Sequence, residues 1–139
     1  MAPGRRPDRQ YRSGLESDEL GFIGGGYGEA GWLEREFSAA GNTPVGCGFI
    51  TWSLAKKPEL LDLALARKPK AIFLSFGDLA PFAGKIKEAG ALLIAQVQRR
   101  SDAEAAIVAG ADVIVAQGTE GGGHVGVMGT MPLVPMVVS

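Results

Sequence analysis

A single histidine, His124, closes a run of three glycines, Gly121 to Gly123, downstream of a short apolar segment, Val113 to Ala116, and a glutamine, Gln117. An imidazole titrates near neutrality, which suits it to removing or delivering a proton at physiological pH. Consecutive glycines strip the β-carbons from a loop, so that backbone N–H groups can approach a flat or phosphorylated ligand. The apolar run before them suits a strand covered on both faces, as in a parallel sheet, and such folds hold their ligands just past the carboxyl ends of the strands. A metal site is the poorer reading, because one histidine, one cysteine and scattered carboxylates lack zinc-ligand spacing. Glu120 is placed either to orient His124 or to stand as a solvated loop carboxylate.

Other chemically capable residues have plainer readings beside the functional ones. Gly26, Gly28 and Gly31 satisfy the GxGxxG pattern between a strand and a helix. A dinucleotide site of that kind needs an acidic residue at the end of the next strand, and Thr51 and Trp52 stand there instead, so a tight turn with close helix packing is the better account. Cys47 lies in the apolar run PVGCGFI and reads as a buried, inert thiol. In LSFGD, Ser75 would face the ligand mouth and Asp78 would cap the following helix. Trp32 reads as core on an amphipathic helix, whereas Trp52 reads as part of a loop that walls a substrate pocket.

The elements that must position these groups alternate along the chain. Strands are expected at Leu20 to Ile23, Val45 to Ile50, Ala71 to Leu74, Leu92 to Gln96 and Val113 to Ala116. Between them come helices: Glu29 to Ala40 stopped by Gly41, one opened by Pro58 and running through Leu65, Pro81 to Ala89 stopped by Gly90, and one begun by Ser101. Ser101 with Glu104 has the form of a capping box, and Gly110 ends that helix. Leu133 to Val138 has helical spacing despite Pro135. Strand starts recur every 21 to 26 residues, the size of one βα unit, which demands a parallel sheet with right-handed crossovers. The class is α/β, either part of a (β/α)8 barrel or an open, doubly wound sheet.

Composition narrows the function. With 139 residues and 46% hydrophobic content, the chain can bury the core of one domain. A formal net charge of −1 argues against nucleic-acid binding, which needs a basic surface. Residues 1–19 carry Arg5, Arg6, Arg9 and Arg12 without apolar periodicity and read as a disordered tail ahead of one domain at 20–139. The absence of a long apolar run points away from a membrane, and one unpaired cysteine agrees with a reducing compartment; the expectation is cytoplasmic, with an organellar address left open by the arginines.

Four motifs in order, LGFIGGGY from Leu20, PVGCGFITW from Pro44, LSFGD from Leu74 and LLIAQV from Leu92, precede GADVIVAQGTEGGGHVG from Gly110. Together they resemble the nitronate monooxygenases, also called 2-nitropropane dioxygenases, over residues 20–139. The commonest family form has alanine where this chain has Gly121. That resemblance implies a (β/α)8 TIM barrel, of which about five consecutive units stand here, so that the chain reads as a truncated fragment. It implies FMN as cofactor and oxidation of a nitronate or nitroalkane, with dioxygen, to a carbonyl compound and nitrite. His124 would be the catalytic base, Gln117 would meet the flavin, and Gly122 and Gly123 would give backbone contacts. Gly48 would lie near the ring, where some relatives carry asparagine. A related flavin-dependent enoyl reductase, and a non-catalytic remnant that associates through open sheet edges, are the alternatives.

Overall fold

Branched and aromatic residues in runs of four to six, each followed by a helix with one apolar stripe, dictate the architecture. The computed structural model describes residues 20–25, 29–120 and 128–138. Within them the order is β1 (Gly21–Gly24), α1 (Ala30–Ala40), β2 (Val45–Ile50), α2 (Thr51–Lys56), α3 (Glu59–Ala66), β3 (Ala71–Ser75), α4 (Ala80–Glu88), β4 (Leu92–Val97), α5 (Arg100–Ala109), β5 (Val113–Ala116) and α6 (Thr130–Val138). Residues 1–19, expected to be a disordered tail, lie outside the described residues.

All four strand pairings are parallel, and the sheet order is β1-β2-β3-β4-β5. A doubly wound sheet reverses its order at a switch point and carries helices on both faces; a sheet wound in sequence with right-handed crossovers keeps its helices on one face. The observed order is that of part of a (β/α) barrel and rejects the doubly wound alternative.

Register divides the strand residues into two sets. Ile23, Cys47, Ile72 and Leu93 align across four strands, as do Phe49, Leu74, Ala95 and Ile114. These join Leu33 and Phe37 of α1, Leu54 of α2, Leu61 of α3, Ile86 of α4 and Ala106 of α5 in one core. Burying each large side chain is worth about 1.5–3 kcal/mol, so this seam dominates the stability. The other set, Gly48, Phe73, Ile94 and Val113 with Ser75, Gln96 and Val115, occupies the face without helices. On it Val113 and Val115 are 45% and 37% exposed. The expectation that β5 is covered on both faces therefore fails among the described residues: helices cover one face, and β4 alone pairs with it.

Local chemistry sets the element ends. Gly110, at φ +87°, provides the left-handed residue that terminates α5. The expected capping box does not form, because α5 begins at Arg100, one residue before Ser101. Glu104 instead pairs with Arg100 at 3.1 Å, and Asp102 Oδ2 accepts the Gln98 N–H at 3.2 Å. At the amino ends of the strands, Asp112 accepts from Leu93 N–H at 2.8 Å and from Lys87 Nζ at 2.9 Å, joining α4, β4 and the start of β5. The Leu93 amide, then Lys87, hold its carboxyl below the usual range. None of the described helices is long and apolar enough to cross a membrane.

Candidate active-site face

At the carboxyl end of β2 the strand passes into α2 with no loop between them. Trp52, expected on a loop, is thus a helical residue, and its backbone N–H donates to Phe76 O at 3.1 Å. That bond ties the tops of β2 and β3 together. Phe76 takes φ +57° and Gly77 φ +150°, and a β-carbon at Gly77 would stand 2.8 Å from Thr51 Cβ, so a close backbone approach demands this glycine. Asp78 Oδ1 accepts the Ala80 N–H at 3.1 Å, but the N-cap of α4 is Leu79, so Asp78 bonds the first helical N–H from one residue before the cap and is not itself the expected N-cap. Beside these lies a cleft of about 390 Å³ lined by Trp52, Phe76, Asp78, Gln96, Gln98 and Arg99.

A second hollow, about 480 Å³, opens over β1 to β3. Phe22, Gly24, Gly25, Gly48, Phe73 and Ser75 line it. Phe22 and Phe73 meet edge to face with centroids 6.1 Å apart, and a β-carbon at Gly46 would strike the Phe22 ring. Gly25 N–H donates to Gly48 O at 2.6 Å, and a β-carbon at Gly25 would lie 2.6 Å from Phe49 Cδ1. Gly24, by contrast, has open space where a side chain would start, and at Gly48 the nearest atom is Phe73 Cβ at 3.6 Å. The result is a shallow apolar floor over two bare backbones, with Ser75, whose hydroxyl is 3.5 Å from Phe49 O, at its edge.

Gln117 stands past β5, with β3 and β4 between it and Gly48 on β2. Its backbone N–H donates to Val97 O at 2.9 Å, and its Oε1 accepts from Gln98 Nε2 at 3.1 Å. Glu120 is engaged by α6: its Oε2 accepts from the Thr130 N–H and hydroxyl. His124, Gly122 and Gly123 lie outside the described residues, as do Gly26 and Gly28 of the GxGxxG stretch. Gly48 and Ser75 are brought to one hollow; Gln117 is placed on the same strand-end rim of the sheet.

Two aromatic and thiol readings are decided by burial. Trp32 is 42% exposed and its indole N–H donates to Gly24 O at 2.9 Å, so it is a brace between α1 and β1 rather than core. The buried stripe of α1 is Leu33, Phe37 and Ala40, and an indole keeps its polar edge where a carbonyl can meet it. Cys47 is fully buried, and desolvation pushes its thiol up to about 12, as an inert core residue requires. Helix α2 and the Gln98–Gln117 bridge were not anticipated. The signal for the bridge is the alternation Gln96, Gln98 at the end of β4, which continues the polar positions of the inward set past the strand.

A sequentially wound βα sheet, with polar residues gathered at the carboxyl ends of its strands and an apolar hollow beside them, defines a portion of a (β/α) barrel. The family model for nitronate monooxygenase matches residues 48–139, and the chain belongs to that family. It is similar to the nitronate monooxygenase of Paraburkholderia phytofirmans, 37% identical over 98 residues, which cover 69% of this chain and 27% of that protein. The Pseudomonas aeruginosa nitronate monooxygenase is 35% identical over 129 residues, covering 80% and 36%. The chain thus spans roughly a quarter to a third of these relatives' length. Among solved structures, FabK from Thermotoga maritima superposes with a TM-score of 0.81 at 28% identity over 99% of this chain and 44% of its own. Nitroalkane oxidase from Streptomyces ansochromogenes superposes with a TM-score of 0.69 at 23% identity, over 99% of this chain and 53% of its own, a likeness of fold.

Proposed function

We propose that this chain serves FMN-dependent oxidation of nitronates or nitroalkanes to a carbonyl compound and nitrite, with dioxygen as co-substrate. The observation that carries this reading is the family match over residues 48–139, which spans Gly48, Gln117, the triple glycine and His124. The hollow supports it independently. A planar aromatic ring needs a floor free of side chains and an apolar surround, and Gly24 and Gly48 beside the Phe22–Phe73 pair meet both needs.

The bound flavin would supply the redox chemistry, accepting an electron from the nitronate. The chain's own residues do the rest. His124 removes the α-proton of a neutral nitroalkane, giving the nitronate; Gln117 meets the ring; Gly122 and Gly123 offer backbone N–H groups; Gly48 leaves the ring room. The small-molecule substrate and dioxygen are the partners, with neither nucleic acid nor membrane required. A cytoplasmic setting fits the single cysteine, and association through the outer edges of β1 and β5 fits their having no strand partner on that side among the described residues.

The test is product release. A protein containing this chain in a complete barrel, loaded with FMN, yields nitrite and a carbonyl compound from a nitronate while consuming dioxygen. The superposition on FabK favours a second reading, a flavin-dependent enoyl reductase. Turnover of an enoyl thioester with a nicotinamide cofactor, and none of a nitronate, would establish that reading instead.

A further inference from the structure

We propose that Gln98 is a positioning residue that fixes the Gln117 amide with its oxygen toward β4, so that Gln117 presents its NH2 group to the sheet's mouth as a hydrogen-bond donor. The inference rests on the flavin reading above and deepens it, because it states which end of the amide a ring would meet.

Gln98 is buried, 8% exposed, and a buried amide must find partners. Its place is fixed on the backbone side by Asp102, which accepts its N–H at 3.2 Å. Gln117 is fixed likewise by its own N–H bond to Val97 O at 2.9 Å. Register sets the two side chains beside each other: Gln96 pairs with Val115 and Val97 with Ala116, so Gln98 and Gln117 continue the inward-facing row one step past the ladder. Gln98 Nε2 then donates to Gln117 Oε1 at 3.1 Å.

An amide has one oxygen and one NH2 group on opposite sides of its terminal carbon. With the oxygen engaged by Gln98, Nε2 is turned away from that bond and offers its hydrogens elsewhere. The matching ligand feature is an acceptor, a ring carbonyl or an unprotonated ring nitrogen. Without Gln98 the amide would turn freely between donor-out and acceptor-out. Gln98 touches no reacting atom in this account and acts through Gln117.

The test uses a nitrogen-15-labelled complete barrel carrying this chain, with FMN as the probe. The Gln98 side-chain amide should exchange slowly with solvent, stay protected in Gln117→Glu, which retains an acceptor, and lose protection in Gln117→Met. Gln98→Glu reverses the bridge and turns the Gln117 oxygen outward; FMN affinity followed by amide shifts should fall about tenfold, the loss expected when a donor is replaced by an acceptor. Gln98→Met, near in shape, should cost less, since it frees the amide without reversing it, and its unchanged melting temperature separates orientation from folding. Rapid exchange of the Gln98 amide in the wild-type chain, or equal FMN affinity in wild type and Gln98→Glu, overturns the proposal. An absence of FMN-induced shifts in the wild type at millimolar probe overturns the flavin reading and the ring contact with it, while the exchange data still decide the bridge.

Discussion

Glu120 accepts two hydrogen bonds from Thr130 through one carboxylate oxygen, from the backbone N–H at 2.9 Å and from the hydroxyl at 2.8 Å. Thr119 N–H donates to Met128 O at 3.0 Å beside it, so residues 119–120 are clamped to residues 128–130, on either side of the stretch that contains His124. The carboxylate also neutralises the amino end of α6.

The clamp makes a pH prediction. The Thr130 hydroxyl first, then backbone N–H groups, hold the Glu120 carboxyl below its ordinary value of 4.5. A folded-state value below the unfolded one means that the contribution is present above the unfolded value and is lost as pH falls through the folded one. The Thr130 amide resonance should therefore titrate with a midpoint below 4.5, and Glu120→Gln should remove that titration. A midpoint at or above the ordinary value would show that the clamp is not formed in solution.

Glycines 25 and 48 should respond oppositely to alanine. At Gly25 the new methyl would stand 2.6 Å from Phe49 Cδ1 and 2.7 Å from Gly48 O, and a backbone oxygen cannot give way cheaply. Gly25→Ala should cost about 1–3 kcal/mol, as overpacking does. At Gly48 the nearest atom is at 3.6 Å, an ordinary contact, so Gly48→Ala should be neutral to within about 1 kcal/mol. Gly48→Asn should also fold and would return an amide to the floor of the hollow. Denaturant titration of the three variants measures this, and equal losses at both positions would contradict it.

Cys47 should behave as core. With no exposed surface and its thiol pushed up to about 12, it should react with a thiol reagent only as fast as the chain unfolds. Cys47→Ser should destabilise by about 1–3 kcal/mol, because the hydroxyl would be buried among apolar neighbours. Rapid labelling under native conditions would show that β2 is open.

The spacing of apolar runs made the fold legible because a βα unit has a fixed length and its strands are short and branched. Val45–Ile50 and Val113–Ala116 fall where the runs place them, and Gly41, Gly90 and Gly110 stop helices by adopting positive φ. Three features escaped for physical reasons. Helix α2 starts at Thr51, directly after the last residue of β2, so no turn residue marks it; Trp52 carries no sign of which element owns it. Trp32 sits at a helical position of apolar type, yet its indole N–H is used by Gly24 O, and that long-range bond has no sequence signature. The capping box failed because Arg100 extends the helix by one residue and Glu104 has an ion partner within reach. Of the candidate site, Gly48 and Gln117 could be placed in the sheet from the motif order, but Gln98 becomes a partner of Gln117 only through strand register.

For catalysis, His124→Ala in a complete barrel carrying this chain should suppress turnover of neutral nitroalkanes while partly sparing preformed nitronates, which have no α-proton left to remove. A loss of the kind seen for general bases is about 10²–10⁴-fold on the neutral substrate. FMN content should persist. Equal loss on both substrates would assign His124 to binding instead of proton removal.

The last prediction concerns the sheet's edges. Among the described residues β1 pairs only with β2 and β5 only with β4, so one side of each bears unpaired N–H and C=O groups. Phe22 at one edge is 37% exposed, Val113 and Val115 at the other are 45% and 37%, and Leu92 on neighbouring β4 is 50% exposed. Neither edge strand carries the lysine, proline or inward charge that blocks edge association. The 139-residue polypeptide by itself should therefore self-associate and bind a hydrophobic dye, and Val113→Lys with Val115→Lys should shift it toward monomer by placing charge on the β5 edge. Size-exclusion chromatography with light scattering reads the outcome. A sharp monomer peak with cooperative melting and no dye signal in the wild-type polypeptide would mean that these edges are covered from within the chain, and the pair of lysines would then leave the elution unchanged.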